Sequence, residues 1–121
     1  MSNVIHSDDH IEVIVLDEPG AGGACHKYTV VKKEIDPEKG GQLELGYVNF
    51  QKGGIVLHGV NGLTNEALLA IVIHRLECFQ AGEFSCRENA IAKTHIETGL
   101  LWLLKRTSDR KERGVEGKEV K

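Results

Sequence analysis

The sequence predicts an α+β chain, with a small antiparallel sheet in its first half and a two-helix hairpin in its second, assembling as a homo-oligomer. Three observations carry that prediction. Residues 1–62 hold four short β-rich runs separated by turn residues, the pattern of an antiparallel meander. Residues 63–113 hold two longer segments with apolar side chains at helical spacing, joined by a very short turn. The helices are apolar over more than one stripe, so a sheet can cover one side and a second copy of the chain another. Residues 114–121 read as a polar tail.

Taken in order, residues 1–10 (MSNVIHSDDH) are polar, lack the basic-then-apolar pattern of a signal peptide, and are expected to be frayed. Ile11–Leu16 is a β-rich run ended by Asp17-Glu18-Pro19-Gly20 and further glycines to Gly23. Tyr28–Val31 reads as the second strand, ended by Asp36-Pro37. Leu43–Val48 alternates apolar and other residues with period two, as a half-buried strand does. Gly53-Gly54 makes a turn before a fourth strand, Ile55–Val60, which Asn61-Gly62 stops.

The first helix is expected over Thr64–Ala81, with Thr64 as N-cap and Leu68, Leu69, Val72, Leu76 and Phe79 at helical spacing. Gly82 closes it. The second is expected over Ser85–Arg113, opened by Ser85-Cys86-Arg87-Glu88 as a capping box in which serine and glutamate each satisfy an orphan backbone donor. Ile91, Ala92, Ile96, Leu100, Leu103 and Leu104 form its apolar pattern. At about 1.5 Å per residue this helix is about 40 Å long, so its last turns overhang the hairpin.

At 121 residues the chain has room for a single modest core. A formal charge of −3 argues against a general DNA or RNA binder, which is normally basic. The charge is uneven, however: residues 105–113 (KRTSDRKER) carry five positive and two negative side chains. A local cluster on an acidic protein suits a small anionic ligand better than a long phosphate backbone. Three cysteines without framework spacing read as reduced thiols, and no apolar run reaches membrane-spanning length, so a soluble intracellular protein is expected.

Several sites of chemistry are suggested and then discounted. Asp17–Lys27 (DEPGAGGACHK) resembles a phosphate loop in its glycines only, because no Gly-Lys-Ser/Thr follows and the loop joins two strands. His74 and Cys78, one helical turn apart with Cys86 and His95 nearby, offer zinc-ligand types but lack a close Cys-x-x-Cys repeat. Neither cysteine has a histidine with an identifiable third orienting group, and Glu66, Glu77, Glu83 and Glu97 show no paired-carboxylate spacing. No cofactor, metal or catalytic residue is expected.

The hairpin ends carry residue types that hold a base and its phosphates. Phe79 lies in the last turn of the first helix, where an aromatic face can stack a base or simply end the apolar stripe. Asn89, in the first turns of the second helix, can donate and accept towards a base edge or stand in solvent. Arg106 and Arg110 share a face one turn apart; their guanidinium forks match phosphate bidentately, or complement the helix C-terminal dipole. Taken singly, each has an ordinary structural reading.

The run FQAGEFSCRENAIAKTHIETGLLWLLKRTSDRKERGVEG, and within it Cys86, Glu88, Asn89, Ala92, Ile96, Glu97, Leu100, Trp102 and Leu103, resembles the helical hairpin of two groups of phage anti-defence sponges. One is the phage Thoeris anti-defence 1 family and the other the anti-CBASS family of cyclic-oligonucleotide binders. The preceding β-rich half looks like the Thoeris group, since the anti-CBASS sponge is shorter and essentially helical. The resemblance implies a non-catalytic protein that sequesters cyclic ADP-ribose isomers, glycosidically linked between their riboses and made by TIR-domain sensors, in the cytoplasm of the infected bacterium. It implies ligand contacts from Phe79, Asn89 and Arg106, to which charge and spacing add Arg110 and Arg113. It also implies pockets between protomers in dimers or trimers of dimers. A second site for cyclic di- or trinucleotides would draw on Arg87, Lys93 and Thr94. The rivals are a cyclic-oligonucleotide sponge, an enzyme degrading a nucleotide signal, and an oligomeric adaptor binding an acidic protein through its basic helix end.

Overall fold

The computed structural model describes residues 3–36, 38 and 40–114. The chain divides into two compact units, Met1–Gly62 and Leu63–Lys121. Of the expected polar tail only Gly114 is among the described residues, and Pro37 of the expected turn lies outside them.

The first unit is a meander of four strands. β1 (Val4–Ser7), β2 (Ile11–Val15), β3 (Lys27–Asp36) and β4 (Gly41–Asn49) lie side by side in chain order, and every neighbouring pair is antiparallel. The register places Val13 opposite Val30 and Tyr28 opposite Val48, with irregularities in β3 beside Val31. Two expectations are corrected here. Residues 4–7 are not frayed: the Asp8 carboxylate accepts from the backbone N–H of His10 (2.8 Å) and Ile11 (2.9 Å), which closes a tight turn and lays β1 on β2.

The second correction concerns Ile55–Val60, expected as the fourth strand. Ile55–His58 is instead a single helical turn, α1, between Gly54 and Gly59, the latter at φ 69°. The segment is held by side chains rather than by a strand partner. Gln51 Nε2 donates to the carbonyls of Gly53 (3.1 Å) and Gly59 (2.8 Å), while its Oε1 accepts from Asn61 N–H (2.9 Å). Asn61 in turn pairs both ways with the Lys52 backbone, accepting at 2.7 Å and donating at 2.8 Å. With Gln51 and Asn61 satisfying the loop's own backbone groups, the apolar run Ile55–Val60 has no ladder to join.

The glycine-rich Asp17–Lys27 loop is a β2–β3 connection whose ends are tied by one carboxylate. Asp17 accepts from His26 N–H (3.0 and 3.1 Å to its two oxygens) and Lys27 N–H (3.1 Å). Buried side chains in this unit are few: His26, Thr29 and Val31, the latter two on one face of β3. Thr29 Oγ1 donates to the Glu44 carboxylate across the β3–β4 ladder. β4 alternates in sequence, yet the register steps from Gly46 to Glu44 beside Val31 and breaks that alternation, and Leu43, Leu45 and Tyr47 are all exposed, so the half-burial it implied is not realised within one chain.

In the second unit α2 (Asn65–Gln80) and α3 (Arg87–Glu112) form the hairpin. Thr64 caps α2 as expected, its hydroxyl accepting from Ala67 N–H at 3.1 Å. The start of α3 differs from expectation. Its N-cap is Cys86, with no side-chain cap bond, so Ser85 lies one position outside and Glu88 in the second helical position. The turn is fixed from the other helix: Gln80 Nε2 donates to the Cys86 carbonyl and Gln80 Oε1 accepts from Cys86 N–H, both at 3.0 Å. A two-point amide clamp reaching across six residues displaces the local serine cap.

Partial burial marks the seam between the helices. On α3 it includes Asn89, Lys93, Ile96, Leu100, Leu103, Thr107 and Arg110, steps of four and three that repeat a heptad, with Glu97 and Gly99 partly buried beside them. On α2 the same spacing picks out Leu69, Ile73, Leu76 and Gln80, of which Ile73 is buried. Off this seam Leu68 and Phe79 are half-buried, while several large apolar residues are uncovered. Leu101 and Trp102 are each 67% exposed, and Ile71, Val72, Ile91 and Leu104 are also exposed. Among the described residues no helix is long and apolar enough to cross a membrane.

Candidate functional site

Phe79 is half-buried in the last turn of α2 and Asn89 is half-buried in the first turn of α3, the two helix ends that flank the hairpin turn. Asn89 is the first half-buried residue of α3 and is therefore not a fully solvated helix position. Phe79 is not a pure core residue either. Arg75, one helical turn before it, lays its guanidinium carbon over the ring, 5.4 Å from the centroid. Sequence reading missed Arg75, although its i, i+4 spacing to Phe79 was the available signal.

The arginines stand at the far end of the same helix. Arg106 lies 17 positions beyond Asn89, about 25 Å along the axis, and Arg113, the C-cap of α3, about 36 Å. Within one hairpin, therefore, the aromatic and amide are not joined by Arg106, Arg110 or Arg113. The shorter α2, of 16 residues against 26, leaves the last turns of α3 extending past its start.

Charge pairing along α3 is selective. Lys105 Nζ donates to Asp109 at 2.9 Å, and that bond with its Coulomb attraction raises the lysine above its ordinary range. Lys93 sits between two carboxylates, Glu77 of α2 at 3.8 Å and Glu97 at 3.6 Å. The glutamates that showed no pairing in sequence are thus assembled by the hairpin around a lysine. Arg75, Arg87 and Arg106 have no carboxylate within ion-pair reach among the described residues. Their charge stands unneutralised at both ends of the hairpin.

The residues expected at a second site lie in the first two turns of α3. Arg87 opens the helix and Thr94 Oγ1 donates to the Ala90 carbonyl at 3.1 Å. Lys93, between them, is the doubly paired lysine. An anion there competes with Glu77 and Glu97 for it. His74 Nε2 and Cys78 Sγ are 3.9 Å apart on an exposed face of α2. Among the described residues no three His, Cys, Asp or Glu side chains gather as metal ligands.

The hairpin is also where known proteins match. The family described as Acb2/Tad1, hairpin domain, matches residues 45–108, which run from β4 through most of α3. The chain is similar to a protein of Bacillus phage SBSphiJ7 named Thoeris anti-defense 1, with 49% identity over 102 residues, 84% of this chain and 66% of that relative. It spans just under two thirds of the relative's length. A helical hairpin of this sequence, matched over more than half of its residues, places the chain in the Acb2/Tad1 hairpin domain family.

Proposed function

We propose that the protein is a non-catalytic sponge for cyclic ADP-ribose isomers made by bacterial TIR proteins, and that by holding them it blocks Thoeris immunity in the cytoplasm of an infected bacterium. The relative's name and the family support the anti-defence role. The observation that supports the ligand reading is a separation along the hairpin: Phe79 and Asn89 flank its turn, while Arg106, with no carboxylate in ion-pair reach among the described residues, lies about 25 Å along α3 from Asn89. Two hairpins packed antiparallel bring the basic end of one against the Phe79–Asn89 end of its partner, and make two equivalent pockets. The exposed Ile71, Val72, Leu101 and Trp102 supply apolar surface for such a dimer, which can assemble further into a trimer of dimers.

In that pocket Phe79 stacks the adenine, a contact worth about 1–3 kcal/mol. Asn89 donates and accepts at a polar edge. Arg106 takes the diphosphate with a bidentate fork, and Arg110 and Arg113 extend the positive field. Nothing in these roles requires a nucleophile or a proton transfer; retention alone starves the effector of its signal.

The test is retention and release. Protein is mixed with a cyclic ADP-ribose isomer, stripped of unbound ligand, and heat-denatured. Intact ligand in the supernatant supports sequestration, and a new chromatographic product replaces it with an enzyme. If nothing is retained, the ligand assignment fails. Cyclic di- or trinucleotides then become the second reading, favoured by the unpaired Arg87 beside Lys93 and Thr94 at the start of α3.

A further inference from the structure

We propose that Arg75 is a positioning residue of the ligand site, acting through Phe79; this rests on the reading that Phe79 stacks a base. The guanidinium lies over the ring, 5.4 Å from its centroid, from one turn earlier on the same helix. Among the described residues no carboxylate competes for it, so the ring is its partner and its charge is not neutralised.

Three consequences follow from that stack. A phenylalanine in a final helical turn, half-exposed, has rotamer freedom that a flat cation on its ring removes before ligand arrives, and binding is stronger when that ordering is already done. The cation also occupies one side of the ring, leaving one face for one base rather than a sandwich of two. Finally, a ring polarised by a cation on one face presents a less electron-rich opposite face to an aromatic base, which relieves the π–π repulsion of parallel stacking. The arrangement thus selects a single, singly stacked base next to a net positive field. That suits a cyclic mononucleotide-like diphosphate carrying one adenine.

A mere packing role for Arg75 would make the same contact without these effects, so the test is a cycle of variants. Arg75→Met, Phe79→Leu and the double variant are each titrated calorimetrically with a cyclic ADP-ribose isomer, alongside thermal unfolding. Arg75→Met is expected to weaken binding about 2- to 30-fold in the otherwise unchanged protein, and to add almost nothing in the Phe79→Leu background. Arg75→Lys, which keeps the charge but not the plane, restores part of the loss. Equal losses in both backgrounds, or a loss matched by lower thermal stability that Arg75→Lys fully repairs, overturn the proposal. Tight binding by the unmodified protein that Arg75→Met leaves unchanged overturns Arg75 alone. No binding by the unmodified protein overturns the ligand reading, and Arg75's role with it.

Discussion

Mixing two crippled variants tests where the pocket is built. In the proposed dimeric pocket, Phe79→Ala removes a base stack, a loss of about 1–3 kcal/mol or roughly 5- to 150-fold in affinity. Arg106→Glu puts a negative charge where a diphosphate must sit. Asn89, beside Phe79 at the hairpin turn, and Arg106 are about 25 Å apart along α3, well beyond the span of one cyclic ADP-ribose molecule. Each homodimer therefore carries two defective pockets. In a mixed two-fold dimer one pocket draws Phe79 and Arg106 from the protomers that still have them, and the other draws neither. Random pairing makes about half of all dimers mixed, so about one quarter of wild-type binding capacity returns. The variants are co-expressed with different tags, total binding stoichiometry is measured calorimetrically, and doubly tagged dimers are purified as a control. Purified mixed dimers recover about half of the sites. If doubly tagged dimers form and no sites return, Phe79 and Arg106 do not meet across a protomer boundary, and the shared pocket is refuted.

Three structural predictions follow. Gln80→Ala deletes both amide bonds to Cys86 and destabilises the hairpin by roughly 1–2 kcal/mol, read as a lower melting temperature. Ser85→Ala, by contrast, leaves it nearly unchanged, because Cys86 rather than Ser85 is the N-cap. Gly62→Ala places a Cβ 2.4 Å from the Phe50 carbonyl carbon and 2.7 Å from the Asn49 oxygen; backbone must move, at about 1–3 kcal/mol, seen by denaturant unfolding. Asp17 gives a pH signature. Burial alone raises its carboxyl, but the N–H donors of Lys27 and His26 and the nearby charges of His26 and Lys52 outweigh that, leaving it below its ordinary 3.8. Its stabilising contribution is therefore complete above about pH 4 and is lost as pH falls through the lowered folded value. Asp17→Asn weakens the β unit at neutral pH and flattens that acid limb, as followed by circular dichroism.

Strands β2, β3 and β4 and the hairpin were legible because they depend on local chemistry, whereas β1 and α1 were not foreseen. Thr64, Gly82 and the apolar spacing of α2 and α3 specify a hairpin whatever surrounds it, and the turn residues around Asp17 and Gly40-Gly41 separate strands. The candidate site residues were legible by type only: an aromatic and an amide beside the turn, arginines at the basic end. Other features were not, because the deciding bond lies outside the local pattern of propensity and capping. Ile55–Val60 has strand composition, yet Gln51 and Asn61 close the loop around α1 with bonds that no local propensity encodes. Ser85 has the right spacing for a cap, yet the Gln80 amide at the end of the other helix reaches Cys86 first. Glu77 reaches Lys93, which Glu97 already meets one turn on, only because α2 packs against α3.

Local sequence thus determined three of the strands, both long helices and which side chains carry charge at each end of the hairpin, because capping, turn chemistry and periodicity act over a few residues. Tertiary structure decided which of those groups meet. It brought Glu77 of α2 onto Lys93 of α3 and the Gln80 amide onto Cys86, whereas Arg75 over Phe79 and the separation of Asn89 from Arg106 are already set within single helices. Distance in space, unlike periodicity, is set by the packing of the helices and by the rigid 1.5 Å rise of an α-helix.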